Sequence, residues 1–403
     1  MLSRCISVDP GTFQREHWGR SPLLSRATSL PRDFGDLLST RAVDELLAER
    51  GVRAPFIRMA KNGSLVDRSR FLGPAGVGAE IGDQVDSAQA LAQFADGASI
   101  VLQGLHRLWP PVIDFVRDLV DDLGHPVQAN AYITPPGSRG FDSHHDVHDV
   151  FVLQVAGRKH WTVHRPVFDH PLESHPWTDF RDAIADRVTE EPAIDTDLHP
   201  GDALYLPRGW LHSARTADET AIHLTIGIPA LTRTDVARAA VDRVAAAVAD
   251  LRASLPVGID PGDHDAMEAE STKVLLAFAD QLRDRAQEWG SAVADDLTRS
   301  FVSRTRPAAV RPLAMLEAMA AADTTSVRWR HGLITSVTEV DGRVRLRLPD
   351  RVVEFPAICA PAVRHLRDGN DATAGGLPGL DAADGAVVIR RLLREAIVVP
   401  TTA

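Results

Sequence analysis

The chain has 403 residues, 44% of them apolar and 25% charged, enough to build buried cores for two or three ordinary soluble domains. Its net charge of −11 argues against a polyanion binder for the chain as a whole, while leaving room for a local basic patch. Two cysteines, Cys5 and Cys359, form neither a metal-binding spacing nor a disulfide framework, which predicts a reducing, cytoplasmic setting; the opening MLSRCISVDPGTF lacks the apolar run of a secretory signal, and no apolar stretch is long enough to predict a membrane span.

In chain order, the first 125 residues alternate helix and strand signals. LSTRAVDELLAERG spaces its apolar residues for a helix that Gly51 stops, APFIRMAKNG reads as a strand entering a turn, and SAQALAQFADG as a short helix ending at Gly97. ASIVLQGL predicts a strand, and WPPVIDFVRDLVDDLG an amphipathic helix opened by prolines and closed at Gly124. Between 126 and 229 the pattern becomes short strands broken by Gly, Pro and Asp: VQANAYIT, VFVLQVAG, HWTVHRP, DALYLP and AIHLTIGIP. Many short strands with turn signals predict a sandwich or barrel.

Residues 231–255 read as one helix, with Val236, Ala240, Val244, Val248, Leu251 and Leu255 on one stripe and Pro256 as its stop. A second helical stretch runs through MEAESTKVLLAFADQLRDRAQEWG, and long paired stripes of this kind favour packing against a second copy of the chain. RTRPAAVRP is the expected linker. Beyond it, LAMLEAMAAAD predicts a helix, GLITSVTEVDGRVRLRLPD a hairpin turning at Asp341-Gly342, and PAICAPAVRHLRDG and DAADGAVVIRRLLREAIV two more helices, a set that fits a winged helix. The expected domains are 1–230, 231–305 and 306–403.

The segment FDSHHDVHDVFVLQVAGRKHWTVH is dense in histidine. In an extended chain alternate side chains share a face, so His144 and Asp146 point one way and His145 the other. His148 has the right parity, but four residues of strand place it roughly 13 Å from His144, too far for one metal unless the chain turns sharply. A third ligand is expected from a distant strand folded back alongside, and DALYLPRGWLHSA supplies His212, with Trp210 and Leu211 as an apolar wall. Two imidazoles and one carboxylate on one face leave positions open on the metal, which suits a chelating 2-oxo acid and O₂ and differs from a closed structural site. A 2-oxoglutarate co-substrate needs a cation for its distal carboxylate; Lys159 is the candidate, with Asn130 and Thr225 as polar neighbours on adjoining strands. Sixteen histidines make accidental clusters common, and His125, His160, His164 and His170 read as surface or core residues.

NAYITPPGSRGFDSHHDVHDVFVLQVAGRKHW, followed by GDALYLPRGWLHSA and HLTIG, resembles the JmjC-type ribosomal oxygenases, cupin-like protein hydroxylases that use Fe(II) and 2-oxoglutarate. FQREHWGRSPLL resembles that family's opening, so the resemblance covers nearly the whole chain. It implies an α+β chain: a double-stranded β-helix (jelly-roll, cupin, JmjC) domain, a helical dimerisation domain and a C-terminal winged helix. It implies iron on His144, Asp146 and His212, the distal carboxylate on Lys159 with Asn130 and Thr225 nearby, and Tyr132 lining the substrate pocket. His145 departs from the aromatic or aliphatic residue common at that place, on the face turned away from the metal. The implied reaction couples decarboxylation of 2-oxoglutarate to hydroxylation of an unactivated C–H, typically the β-carbon of His or Arg in a ribosomal protein.

A protein hydroxylase is thus the leading expectation, with a protein or peptide substrate, a homodimeric state, and neither membrane nor nucleic acid as partner. The same chemistry on a natural-product precursor peptide or small molecule is the first alternative. A non-catalytic winged-helix DNA binder, motivated by Arg343, Arg345, Arg347, Arg390, Arg391 and Arg394, is the second. A zinc hydrolase built on the His144–His148 cluster is a third, and it leaves Lys159 and His212 without a role.

Overall fold

The structure, a computed structural model, describes residues 1–401 apart from 62, 79, 139 and 140. Asn62, in the turn expected after FIRMAK, lies outside the described residues. The chain divides into two units, Met1–Ala230 and Leu231–Ala403.

The first unit contains, in order, β1 (Leu23–Ser25), α1 (Thr40–Ala48), β2 (Ile57–Lys61), β3 (Ser64–Leu65), α2 (Ser87–Ala95), β4 (Ser99–Leu102), α3 (Pro110–Leu123), β5 (Gln128–Thr134), β6 (Asp149–Ala156), β7 (Lys159–His164), α4 (Arg181–Arg187), β8 (Ile194–Leu198), β9 (Ala203–Leu206), β10 (Leu211–Thr216) and β11 (Ala221–Ile228). The helices begin and end for local reasons. Ser39 caps α1 by accepting from the Ala42 amide, Asp86 caps α2, and α3 opens with proline and closes on Gly124 in the left-handed conformation.

An eight-stranded antiparallel sheet runs β1-β9-β6-β11-β5-β4-β2-β3, and a three-stranded sheet runs β8-β7-β10. The large sheet is covered on both faces. On one side Ala129, Ala131, Ile133, Phe151, Leu153, Ile222, Leu224 and Ile226 join Val112, Phe115, Val116 and Leu119 of α3 in the main core. Each large apolar side chain so buried stabilises the fold by roughly 1.5–3 kcal/mol. On the other side Val150, Val152, Leu204 and Leu206 pack with Trp161, Val163 and Leu198 of the small sheet. Burial on both faces explains why these strands read as nearly continuous apolar runs.

β8 and β10 are among the strands of this unit that the sequence reading did not identify. β8 reads IDTDL, and Asp is depleted in strands; here Asp195 and Asp197 point outward, where Asp195 takes the Thr162 hydroxyl at 2.9 Å and Asp197 pairs with His160 at 2.8 Å. β10, LHSART, looks too polar and short, yet it pairs with β7 along its full length.

The second unit holds α5 (Arg233–Ala247), α6 (His264–Asp284), α7 (Ala286–Thr305), α8 (Pro312–Ala320), β12 (Val327–Trp329), β13 (Ser336–Val340), β14 (Arg343–Arg347), β15 (Val352–Pro356), α9 (Ala360–Arg367), α10 (Ala382–Arg394) and β16 (Val398–Pro400). The helix expected over 231–255 ends at Ala247, because Val248 turns to extended backbone and only a short 3₁₀ turn follows. Its stripe is barely used: Val244 is its one buried residue and Val236 stays 46% exposed. The second helical stretch starts earlier than expected, at His264, and breaks at Arg285 before α7 carries it through Gly290. The hairpin turns where expected, with Asp341 and Gly342 both at positive φ and Val340 opposite Arg343, while Val344 and Leu346 are fully buried. Among the described residues no helix is long and apolar enough to cross a membrane.

Gly157 makes the turn that hands the chain from β6 to β7. Its φ is +62° and a Cβ there would meet the Thr220 carbonyl oxygen at 2.1 Å. Gly157→Ala is therefore expected to destabilise the first unit by about 2–4 kcal/mol, read as a lower urea midpoint; an unchanged midpoint would show that the turn relaxes freely.

Candidate metal and co-substrate site

His144, Asp146 and His212 come together through the backbone. His144 and His212 form an isolated antiparallel bridge, with the His144 amide donating to the His212 carbonyl at 3.2 Å and the His212 amide to the His144 carbonyl at 2.9 Å. Two residues on, the Gly209 amide donates to the Asp146 carbonyl at 3.1 Å. The turn ahead of β10 is fixed by Asp149, buried at the start of β6, which accepts from the Arg208 amide at 3.0 Å. Gly209 has φ +91°, and a Cβ would sit 2.9 Å from the Phe168 carbonyl oxygen, so PRG is a turn that this packing requires. His212 itself lies on β10 and not in a loop after it.

The side chains converge. His212 Nε2 lies 3.7 Å from Asp146 Oδ2, and the rings of His144 and His212 are 4.5 Å apart. Two atoms each about 2.0–2.2 Å from one ion can be at most about 4.4 Å apart, so one ion can take both of the first pair. Both imidazoles are oriented from behind: His144 Nδ1 is 2.8 Å from the Asp142 carbonyl and His212 Nδ1 is 3.1 Å from the Trp210 carbonyl. A proton on each Nδ1 donates to those carbonyls and leaves each Nε2 as a lone-pair donor, the arrangement a metal ligand needs. Burial, with His144 adding to it, pushes the His212 imidazole down to about 4 and so keeps it neutral. Burial works to raise Asp146, but His212, His148 and His144 outweigh it and hold the carboxyl below its ordinary range.

Among the described residues the one trio whose donor atoms all lie within 4.8 Å of one another is His264, Asp265 and Glu268, exposed on the first turn of α6. Exposed acids there need no ion to explain them. The His144 donor therefore stands beyond 4.8 Å from at least one of its two partners, and closing the triad takes movement of that ring.

Behind the triad the strands of the two sheets bring a set of polar side chains together, a region called here the chamber. Strand pairing puts Lys159, Trp161 and Val163 of β7 opposite Thr216, Ala214 and His212 of β10, and Asn130 and Tyr132 of β5 opposite Thr225 and His223 of β11. Lys159 is 3% exposed, its Nζ reaches the Thr134 hydroxyl at 3.1 Å and lies 5.9 Å from the Trp161 ring, and no carboxylate pairs with it among the described residues. Burial alone pushes its amine down to about 7. His223 stacks on Tyr132 at 5.0 Å and meets Trp161 edge-on at 5.4 Å. The buried Trp161 Nε1 and His223 Nδ1 have no hydrogen-bond partner. A buried cation without a counter-charge, beside unpartnered polar atoms, fits an anionic ligand.

Each residue singled out in the sequence has a place here. Asn130 Oδ1 is taken by the Gly104 amide at 3.0 Å, so its NH₂ is the part that faces a ligand, and Thr225 stands opposite it in register. Tyr132 is at the chamber's edge, its hydroxyl pushed up by burial and touched by Arg58 and the charge of Asp146. His145 does turn away, its Nε2 3.2 Å from the His175 carbonyl and its ring against Phe180. His148 corrects the sequence reading: the chain bends at Val147–His148, and the imidazole comes close enough to act on both Asp146 and His212. His125 stacks on Trp18 and His160 pairs with Asp195 and Asp197, both remote from the triad. Trp161, His223, Thr134 and Arg58 were missed. The first three lie two residues from Lys159, Thr225 and Tyr132, so strand parity would have found them; Arg58 is on a strand whose position the local sequence does not announce.

Residues 111–236 match the family described as the JmjC domain. The histidyl-hydroxylase and lysine-specific demethylase NO66 of Drosophila persimilis is 32% identical over 224 residues, 53% of this chain and 29% of that protein. Human ribosomal oxygenase 1 is 31% identical over 220 residues, 54% of this chain and 32% of that protein. The chain thus spans about a third or less of these relatives' length. Escherichia coli ribosomal oxygenase YcfD, whose structures include a complex with cobalt and 2-oxoglutarate, superposes with TM-score 0.52–0.53 at 18% identity over 98% of both chains. Together these likenesses establish a JmjC, cupin-like fold of mixed helices and sheets.

The unpaired Lys159 amine should be a burden on the empty protein. The penalty is full below about pH 7, shrinks as pH climbs toward 10.5, and vanishes above that. Lys159→Met is expected to raise stability at pH 6 by about 2–4 kcal/mol, with the gap closing by alkaline pH in urea titrations. A variant less stable than the parent at pH 6 would mean that the amine has a partner in solution.

Proposed function

We propose that this chain is a member of the JmjC-type ribosomal oxygenases, an Fe(II)- and 2-oxoglutarate-dependent oxygenase that hydroxylates a protein side chain. The observation that carries the reading is Lys159: a buried amine with no carboxylate partner, in the same chamber as a His/Asp/His set with oriented imidazoles. Bound together, the iron and 2-oxoglutarate supply oxygen activation coupled to oxidative decarboxylation, with hydroxylation of an unactivated C–H.

The chain's own residues supply the rest. His144, Asp146 and His212 would hold the metal, each imidazole offering Nε2 because its Nδ1 is held by a backbone carbonyl. Lys159, with Thr134 beside it, would take the distal carboxylate, and the Asn130 NH₂ and Thr225 hydroxyl would steady the co-substrate. The amine's lowered proton affinity lets an arriving dianion complete its protonation, since an adjacent negative charge favours the charged form. Trp161, Val150, Val152 and Val163 wall the chamber against water. Tyr132 would stand at the edge where a substrate side chain enters.

Relatives named ribosomal oxygenases support a ribosomal protein as substrate, and one named a histidyl-hydroxylase supports His as its target, with Arg the alternative that the family resemblance implies. We assign 231–305 to a dimerisation region, on the exposed apolar side chains Val236, Val241, Val274, Leu275 and Leu276, and 306–403 to a winged helix. A nucleic-acid role finds little support, because Arg343 and Arg345 both pair with Glu354, Arg364 with Glu339 and Arg391 with Glu395.

Protein supplied with Fe(II), ascorbate, 2-oxoglutarate and ribosomal proteins should yield succinate and a product one oxygen heavier by mass spectrometry. His212→Ala should lower both by at least about a hundredfold. Succinate formation that is absent from metal-loaded protein, or that persists in His212→Ala, contradicts the proposal.

A further inference from the structure

Residues 165–193, which join β7 to β8, lean on the metal-binding segment. Pro171 and Ile184 are the buried residues of this stretch and the rest is partly or fully exposed, so little apolar packing anchors it. Its far end is tied to β7, since the Ala193 amide donates to the Val163 carbonyl at 2.8 Å. Between Arg165 and Pro192 the one hydrogen bond to the rest of the unit, among the described residues, comes from His145. A carbonyl only accepts, so His145 Nε2 carries the proton that it gives to the His175 carbonyl at 3.2 Å. The Phe168 carbonyl and Pro171 crowd Gly209, the residue whose amide bonds the Asp146 carbonyl. Trp177–Phe180 is a short 3₁₀ turn, in which side chains three apart eclipse, so Trp177 and Phe180 point the same way and reach neighbouring residues. Phe180 lies 5.8 Å from the His145 ring and Trp177 lies 6.2 Å from the His144 ring.

Trp177 makes the contact that matters for an ion. It is half-buried, with the Arg181 guanidinium 4.9 Å from its ring. Phe141 meets the same His144 imidazole edge-on at 5.8 Å. These spacings lie in the range over which aromatic rings attract one another. His144 is also the ligand that has to move, because its donor stands beyond 4.8 Å from at least one of Asp146 and His212. The imidazole that an ion must draw in is thus the one on which residues 165–193 rest, and the next residue, His145, carries their hydrogen bond. An ion that fixes His144 takes away the freedom of one partner in the ring contact, so the other partner docks at a smaller entropic cost. Linkage makes the effect reciprocal: a segment docked through Trp177 favours the ion by the same factor.

We propose that Trp177 is a positioning residue for the metal site: it docks on the His144 imidazole, and binding of the ion tightens residues 165–193 against the triad. The inference rests on the metal site of the oxygenase reading above and on no turnover. Trp177 offers no atom to the ion, and its influence passes through the ring of His144.

The test follows amide hydrogen exchange of peptides covering 165–193 in the full chain, metal-free and with one equivalent of cobalt(II). Exchange in the parent should slow at least about fivefold when cobalt binds. Trp177→Ala should still bind cobalt but lose that slowing, while Trp177→Phe, which keeps a ring, should retain most of it. Cobalt affinity should fall in Trp177→Ala by the same factor as the slowing that is lost, a match that a merely structural role does not produce. Each comparison sets the bound form against the free form of one variant, so a general loss of stability does not imitate the result. Should Trp177→Ala fold poorly, Trp177→Leu keeps the bulk without the ring and takes its place, and the parent measurement stands by itself. Unchanged exchange in a parent that binds cobalt overturns the inference, as does slowing or parental affinity that survives in Trp177→Ala. None of those results touches the oxygenase reading. A parent that binds no cobalt contradicts the metal site itself, and the inference falls with it.

Discussion

Two backbone hydrogen bonds between His144 and His212 hold the candidate site together before any ion arrives. They join a segment just ahead of β6 to the first residues of β10, from opposite sheets of the barrel. Everything that follows depends on that bridge. It places the two imidazoles 4.5 Å apart, brings Asp146 beside them, and lets the Gly209 amide close on the Asp146 carbonyl. Asp149 then ties the Arg208 turn to the strand that begins only three residues after Asp146. Backbone bonds thus bring the three residues together during folding, and the His144 ring alone has to move for all three donors to meet one ion.

The chamber behind the bridge works in the opposite direction. Lys159, His223 and the indole N–H of Trp161 are buried with few partners or none, which lowers the stability of the empty protein. The well-packed apolar layers on both faces of the large sheet offset this. Such a division, stable scaffold and strained pocket, is the usual mark of a site shaped for a ligand. The charges are also sorted: Lys159 lies in the depth of the chamber, burial and the Lys159 charge keep His223 neutral beside it, and Asp146 is the negative group at the triad.

Much of this was legible in the sequence, and the reasons differ by residue. Alternation in the extended segment ahead of β6 carried the placing of His144 with Asp146 and the turning-away of His145, and the strand patterns of β5, β7 and β11 carried Asn130, Lys159 and Thr225 to neighbouring strands. Asp341-Gly342 fixed its hairpin because few residues accept positive φ twice in succession. The same alternation contained Trp161 and His223, which an apolar reading of their strands hid. His148 misled because parity assumes an extended chain, and the chain bends there. β8 escaped because its aspartates face solvent, and the helix after 231 ended early because its stripe stays largely exposed and gives little reason to continue. Arg58 had no local signal at all: only the order of strands in the sheet brings it to Tyr132.

The central claim is that His144, Asp146 and His212 share one metal ion. Cobalt(II), whose visible absorption reports its ligands, can be titrated into the metal-free protein and into single alanine variants at His144, Asp146, His212, His145 and His148. One equivalent should bind to the parent and to the His145 variant, with affinity falling at least about tenfold to a hundredfold in each of the three triad variants and less than that at His148. Undiminished binding in the His212 variant, or a loss at His148 as large as that at His212, would contradict the assignment.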